Sequence, residues 1–146
     1  MPYHKRKATI DYSSMKEQYK FGTAINCIDG RTQQPVIDYI KQNYAVDIVD
    51  MITFPGANGI FSNKLRHAEA SLAKHSASIS VEKHNSRIIA VVGHYDCAGN
   101  PGDKSYHYAQ IRKALQEISL WKLPAKIIGL YVNDNWQVEE VEEELP

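Results

Sequence analysis

The chain has 146 residues and a mass of 16.6 kDa, enough for one domain with a single sizeable core. Apolar residues make up 43% and charged residues 23%, which excludes an intrinsically disordered chain. Lys plus Arg number 17 and Asp plus Glu number 17, and no apolar run approaches the ~20 residues that span a bilayer, so neither nucleic acid nor membrane is an expected partner.

Residues 1–20 are polar and basic and read as an N-terminal arm or short helix. No apolar segment follows the basic start, so it is not read as a secretory leader, and a cytoplasmic location is expected. Thr23 to Ile28 is a short apolar run ending in Asp29-Gly30-Arg31, which predicts a buried strand meeting a turn. Thr32 is the expected cap of a helix running to about Asn43, with Val36, Ile37 and Ile40 at helical spacing. Val46 to Phe54 is rich in β-branched residues and stops at Pro55-Gly56, a second strand. Residues 60–84 have a helical pattern in which Phe61, Leu65, Ala68 and Leu72 form the expected apolar face. Ile88 to Val92 is continuously apolar, as a strand covered on both faces should be, and runs into Gly93-His94-Tyr95-Asp96-Cys97-Ala98-Gly99. A helix from about Ser105 to Ser119 and a strand from Lys126 to Val132 follow. Residues 133–146 form an acidic tail in which Trp136 to Val141 fits a short edge strand. Strands alternating with helices predict one α/β domain over 1–146, a three-layer Rossmann-like fold with a mainly parallel sheet flanked by helices.

That architecture bears on function, because ligands of open α/β sheets bind beyond the carboxyl ends of the strands, where strand order reverses. Only two cysteines are present, which excludes a disulfide scaffold; a single Cys27–Cys97 bridge is the alternative to thiols. Cys27 closes the first predicted strand, while His94 and Cys97, three apart, follow the third. If those strands are neighbours, two thiolates and an imidazole converge, a donor set suited to tetrahedral zinc with a fourth position left open. Against this stands a reading of both cysteines as small buried hydrophobes and of His94 as an ordinary loop histidine. In an extended segment Cys27, Asp29 and Arg31 share a face, so Arg31 can grip the Asp29 carboxylate and hold it off a metal. The competing reading of Asp29-Gly30 is a plain turn.

Cys-x-Asp-x-Arg at 27–31 followed by His-x-x-Cys at 94–97 resembles the β-class carbonic anhydrases, over roughly residues 18 to 132. The resemblance implies one zinc ion per chain on Cys27, His94 and Cys97, with Asp29 and Arg31 as a catalytic dyad. It implies Gln18 and Gly99 as substrate contacts and hydration of CO2 to bicarbonate by a zinc-bound hydroxide. It also implies a homodimer or higher homo-oligomer, to which the basic Lys5, Arg6, Lys7 and the acidic Glu139, Glu140, Glu142, Glu143 and Glu144 add a hint of charge complementarity. Two thiolates neutralise the ion's charge, so activity is expected to rise toward alkaline pH. The chain departs from the family pattern after the second strand, where Phe54-Pro55-Gly56-Ala57-Asn58-Gly59 lacks an arginine that many members carry. That departure keeps open a hydrolase of carbonyl sulfide or carbon disulfide on the same scaffold, and a non-catalytic zinc-binding homologue. Tyr95, Tyr106 and His107 flank the second motif as proton-relay candidates with surface placement expected, and His67, His75 and His84 are expected to be solvated.

Overall fold

Ile88–His94 is buried along its whole length, and the rest of the sheet is arranged around it in a computed structural model that describes residues 18–143. In chain order the strands are β1 (Phe21–Cys27), β2 (Ile48–Phe54), β3 (Ile88–His94), β4 (Lys126–Val132) and β5 (Val138–Val141). The helices are α1 (Gly30–Tyr44), α2 (His67–Lys83) and α3 (Lys104–Ser119). The sheet order is β2-β1-β3-β4-β5, with β1 to β4 parallel and β5 antiparallel on β4. One face packs Ala24, Ala90, Val92 and Leu130 against Val36 and Ile40 of α1. The other packs Ile25, Ile89 and Val91 against Ala73, Ala77 and Val81 of α2 and Ile111, Leu115 and Ile118 of α3. These are the three layers expected of the fold. The expected N-terminal arm, with Lys5, Arg6 and Lys7, lies outside the described residues except for 18–20.

Parallel strands need crossovers, and α1 and α2 take opposite faces because they run in opposite directions from β1. From β1 the chain crosses over α1 to β2, then returns over α2 past β1 to β3. The order therefore reverses between β1 and β3, which is the switch point of this sheet. Beneath α2 the two faces of the sheet differ in chemistry. Thr23 Oγ1 donates to Ser86 Oγ at 2.8 Å and lies 2.6 Å from Ser80 Oγ, and Ser80 in turn donates to Asp50 at 2.7 Å. His84 Nδ1 meets the same Asp50 carboxylate at 2.7 Å, so His84 is paired and half-buried, not simply solvated.

Three local expectations change. The cap of α1 is Asp29, whose carboxylate accepts the Arg31 N–H; Thr32 is already inside the helix, its hydroxyl bonded to the Asp29 carbonyl. The 60–84 segment is not one helix. Two 3-10 turns, Ala57–Gly59 and Lys64–Arg66, precede α2, which begins at His67. Its buried stripe is Ala73, Ala77, Ser80 and Val81, whereas Leu65 is 94% exposed and Leu72 57% exposed. Small residues win that face because α2 lies close against the sheet, where larger side chains would not fit. The acidic tail up to residue 143 is likewise part of the fold, while Glu144 lies outside the described residues. Glu140 accepts hydrogen bonds from the Tyr39 and Tyr44 hydroxyls, and Glu139 from Tyr108, Asn133 and Lys104.

The two descriptions of this segment give opposite expectations for substitution. Ala77→Leu should overpack the α2–sheet contact and cost about 1–3 kcal/mol. Leu65→Ser should stay within about 0.5 kcal/mol of the parent. Urea unfolding of the two variants checks both.

Candidate metal centre

Cys27 is the last residue of β1 and His94 the last of β3. The β1–β3 ladder covers only Thr23–Ile25 against Ile89–Val91, so the two strands stop pairing before their carboxyl ends. A crevice opens there. The chain leaving β3 turns through Asp96, in left-handed backbone geometry at φ 55, and returns Cys97 to the same crevice. The Cys27 and Cys97 sulfurs lie 3.9 Å apart, and with a His94 ring nitrogen they form a set whose ligand atoms are all within 4.8 Å of one another. All three residues are buried, and both cysteines are free thiols, so the disulfide alternative is not realised.

The histidine's tautomer follows from its neighbours. His94 Nδ1 lies 2.7 Å from the Tyr95 carbonyl, which can only accept, so Nδ1 carries the proton and Nε2 keeps its lone pair. Nε2 is buried and has no hydrogen-bond partner. A buried acceptor without a partner is costly, and a cation would supply one. Two sulfurs at about 2.3 Å from a tetrahedral zinc sit about 3.8 Å apart, close to the 3.9 Å observed. The residues present fit such an ion.

A hydrogen bond from Cys97, helped by His94 and the N–H groups of Asp29 and Gly56, holds Cys27 well below the ordinary thiol range against the effect of burial. Cys97 is pushed up by the same contact and by burial. Burial pulls His94 down, but the Cys27 sulfur and the Tyr95 carbonyl outweigh it, and the imidazole ends above its usual value.

Glycines set how closely the ligand loops approach. Gly56 has φ +57, donates its N–H to Cys27 Sγ at 3.4 Å, and a Cβ there would lie 2.4 Å from Asn100 Cβ. A Cβ on Gly99 would lie 2.8 Å from Pro55 Cβ. The 55–59 and 97–100 segments thus pack almost backbone to backbone. Amides lock them from below: Asn58 Nδ2 bonds His107 Nδ1 at 2.9 Å, and Asn100 donates to Gln110 at 2.5 Å and to Asn58 at 3.3 Å. His107, expected at the surface, is therefore fully buried, and burial lowers its pKa. Tyr95 and Tyr106 are about half exposed, as expected.

Asp29 and Arg31 meet, though not through an extended segment. β1 ends at Cys27, and Asp29 caps α1 while Arg31 begins its first turn. Arg31 Nη2 donates to Asp29 Oδ2 at 2.7 Å and Nε to Oδ1 at 3.1 Å, a fork-to-fork pair. Those hydrogen bonds push the Asp29 carboxyl down to about 2. Asp29 does not belong to the three-ligand cluster. Two residues not singled out from the sequence complete the arrangement. Asp96 accepts from Arg31 through its carboxylate at 3.3 Å and its carbonyl at 3.2 Å, and the Trp136 ring lies 4.4 Å under the guanidinium. A lone tryptophan amid Asn133, Asp134 and Asn135 was the available signal. Gly99 lies on the ligand loop, but Gln18 does not reach this site. It sits before β1, at the opposite end of the strand from Cys27, beside a separate cavity of about 480 Å³ lined also by Phe21, His84 and Arg87.

A family profile described as "Putative carbonic anhydrase" matches residues 17–142. The chain belongs to that carbonic anhydrase family. No curated protein matches it. Among solved structures it is similar to the β-carbonic anhydrase CafD of the filamentous fungus Aspergillus fumigatus, at 12% identity and a TM-score of 0.50, over 98% of this chain and 94% of that one. It is also similar to a β-carbonic anhydrase of the protozoan Trichomonas vaginalis, at 16% identity and a TM-score of 0.43, over 84% and 83% of the two chains. At 12% identity the likeness to CafD speaks to the fold alone. No helix of this family member, among the described residues, is long and apolar enough to cross a membrane.

The glycine contacts yield a direct test. Gly56→Ala strains a left-handed backbone position and displaces the N–H that faces Cys27, so affinity for cobalt(II) or zinc should fall roughly 10–100-fold. Competition against a chromophoric chelator measures it.

Proposed function

We propose that this chain catalyses the reversible hydration of CO2 to bicarbonate with one zinc ion held by Cys27, His94 and Cys97. The observation that carries the reading is the Asp29–Arg31 pair beside a three-donor cluster, since a structural metal would not need a carboxylate restrained next to it. Bound there, zinc would supply the Lewis acidity that makes water a competent nucleophile near neutral to alkaline pH. The chain's own residues do the rest. Asp29, kept ionised by Arg31, is an acceptor only, and it orients a water's O–H so that a lone pair faces the substrate carbon. The tautomer set by the Tyr95 carbonyl keeps His94 Nε2 aimed as a ligand. Gly99 places main chain without a side chain at the rim.

A cavity of about 520 Å³ opens beside Cys97, with Asp96, Asp103 and Asp134 on its rim and Lys104 paired to Glu139. A neutral gas enters such a mouth without penalty, while an anionic product is repelled from it. This suits a small uncharged substrate and an outgoing anion, which CO2 and bicarbonate are.

The same reading includes a homodimer located in the cytoplasm. β2 is an edge strand with its outer side unpaired among the described residues, next to the exposed Leu72 and Ile79. Gln18 cannot contact its own chain's site, so a substrate contact from Gln18 needs a second copy. Sedimentation at micromolar concentration should give a dimer; a monomer there removes this part.

Metal content and turnover test the core of the proposal. Reconstituted protein should hold one zinc per chain and hydrate CO2 in stopped flow, with carbonyl sulfide hydrolysed poorly or not at all. Arg31→Ala should keep its zinc but lose turnover, because a released Asp29 takes the open coordination position. Asp29→Ala should also keep zinc, and should lose turnover for lack of the orienting acceptor. Full activity in Arg31→Ala would refute the dyad.

A further inference from the structure

Two of the five non-glycine residues with left-handed backbone among the described residues are the two that hold the far side of Arg31: Asp96 at φ 55 and Trp136 at φ 58. A left-handed conformation is unfavourable for a bulky residue, and it persists only where surrounding contacts dictate it. The contacts around Trp136 are explicit. Trp136 N–H donates to the Asn133 carbonyl at 2.9 Å, and Asn133 Oδ1 accepts the Asn135 and Gln137 N–H groups at 2.9 and 3.1 Å. Asn133 Nδ2 in turn donates to Glu139 at 2.9 Å, tying the turn to β5. The β4–β5 turn is thus built to present an indole ring at a fixed height. That ring lies 4.4 Å from the guanidinium carbon of Arg31, with Tyr95 edge-on behind it at 6.4 Å.

We propose that Trp136, with Asp96, is the positioning element of the Arg31–Asp29 pair. The indole face is the floor on which the guanidinium lies, Asp96 fixes its second edge, and the remaining edge can only point at Asp29. Arg31 is about half exposed, and a half-exposed arginine on a flexible stem does not by itself keep one geometry. Stacking removes the alternative rotamers, and cation–π attraction adds to the hold. Trp136 touches neither substrate nor metal; it acts through Arg31. This rests on the function proposed above, and it makes the short hairpin at the end of the sheet a determinant of the site.

The test separates this role from a merely structural one. In metal-free protein labelled with nitrogen-15, the Arg31 Nε–H should give a dispersed, slowly exchanging signal shifted by the indole ring. Trp136→Ala should move it to the free-arginine position. Trp136→Phe should restore it in part, and Asp96→Asn should leave the ring shift but speed exchange. Trp121→Ala, which removes a tryptophan packed on Phe61 at 5.9 Å in the other core, should leave it unchanged. If Trp136→Ala does not fold, Trp136→Leu keeps an apolar body without the aromatic face and should give the same loss. In cobalt(II)-loaded Trp136→Ala the visible spectrum should show a carboxylate entering the metal's coordination sphere. Turnover should drop roughly 10–100-fold, as a misplacement of about 1 Å does elsewhere, with the Phe variant intermediate. An unshifted Arg31 signal in Trp136→Ala and Trp136→Leu would overturn the proposal, as would a Phe variant no better than Ala. Wild-type protein inactive toward CO2, yet showing the same signal changes, would remove the proposed function and leave the positioning role standing.

Discussion

The parting of β1 from β3 is the constraint on which this site depends. β1 pairs with β2 along all seven of its residues, yet with β3 over only three. Two parallel strands that stop pairing early leave their carboxyl ends apart, and donors at those ends face each other across a gap instead of a hydrogen-bonded ladder. Cys27 and His94 occupy those ends. The reversal of strand order at this point, with α1 on one face and α2 on the other, keeps either crossover from covering the gap.

Burial then converts proximity into chemistry. A thiol pair 3.9 Å apart with an unpartnered imidazole nitrogen is an unfavourable cluster in a dry crevice unless a cation joins it. The surrounding parts all restrict motion toward that ion. Glycines at 56 and 99 let two loops touch through their main chains, buried amides from Asn58, Asn100 and Gln110 hold them together, and the Tyr95 carbonyl fixes the His94 ring. Arg31 is treated in the same way from outside, with carboxylates on two edges and an aromatic face beneath. The 54–59 segment itself carries no arginine. Arg66 approaches the same loop from the following 3-10 turn, bonding the Pro55 and Gly56 carbonyls and Glu69, and so supports the loop.

Much of this was legible in the sequence because it is local. Short apolar runs at 23–28 and 88–92 identify buried strands, and Cys27, His94 and Cys97 lie at or just past their ends, so the candidate donors could be written from spacing and residue chemistry. The Asp29–Arg31 pair is legible as well, although an extended segment is expected there and the structure has a helix cap. The pairing survives that change because a cap and its first turn also bring residues two apart within reach.

What misled was periodicity without a partner. Phe61, Leu65, Ala68 and Leu72 match helical spacing, but which stripe of α2 is buried depends on how near the sheet lies, and that distance selected alanines and Ser80 instead. His107 differs from expectation for a related reason: a polar residue reads as exposed until the amide that bonds its Nδ1, Asn58 from 49 positions away, is known. Asp96, Trp136 and Gln110 contact their partners only across turns and crossovers. The sequence by itself determined the strands, the three candidate donor residues at their ends and the Asp29–Arg31 pair, because each rests on side-chain chemistry read within its own short segment. Only the tertiary structure decided which loops touch, which face of α2 is dry, which end of the sheet Gln18 occupies and what holds Arg31, because those contacts join segments far apart in the chain.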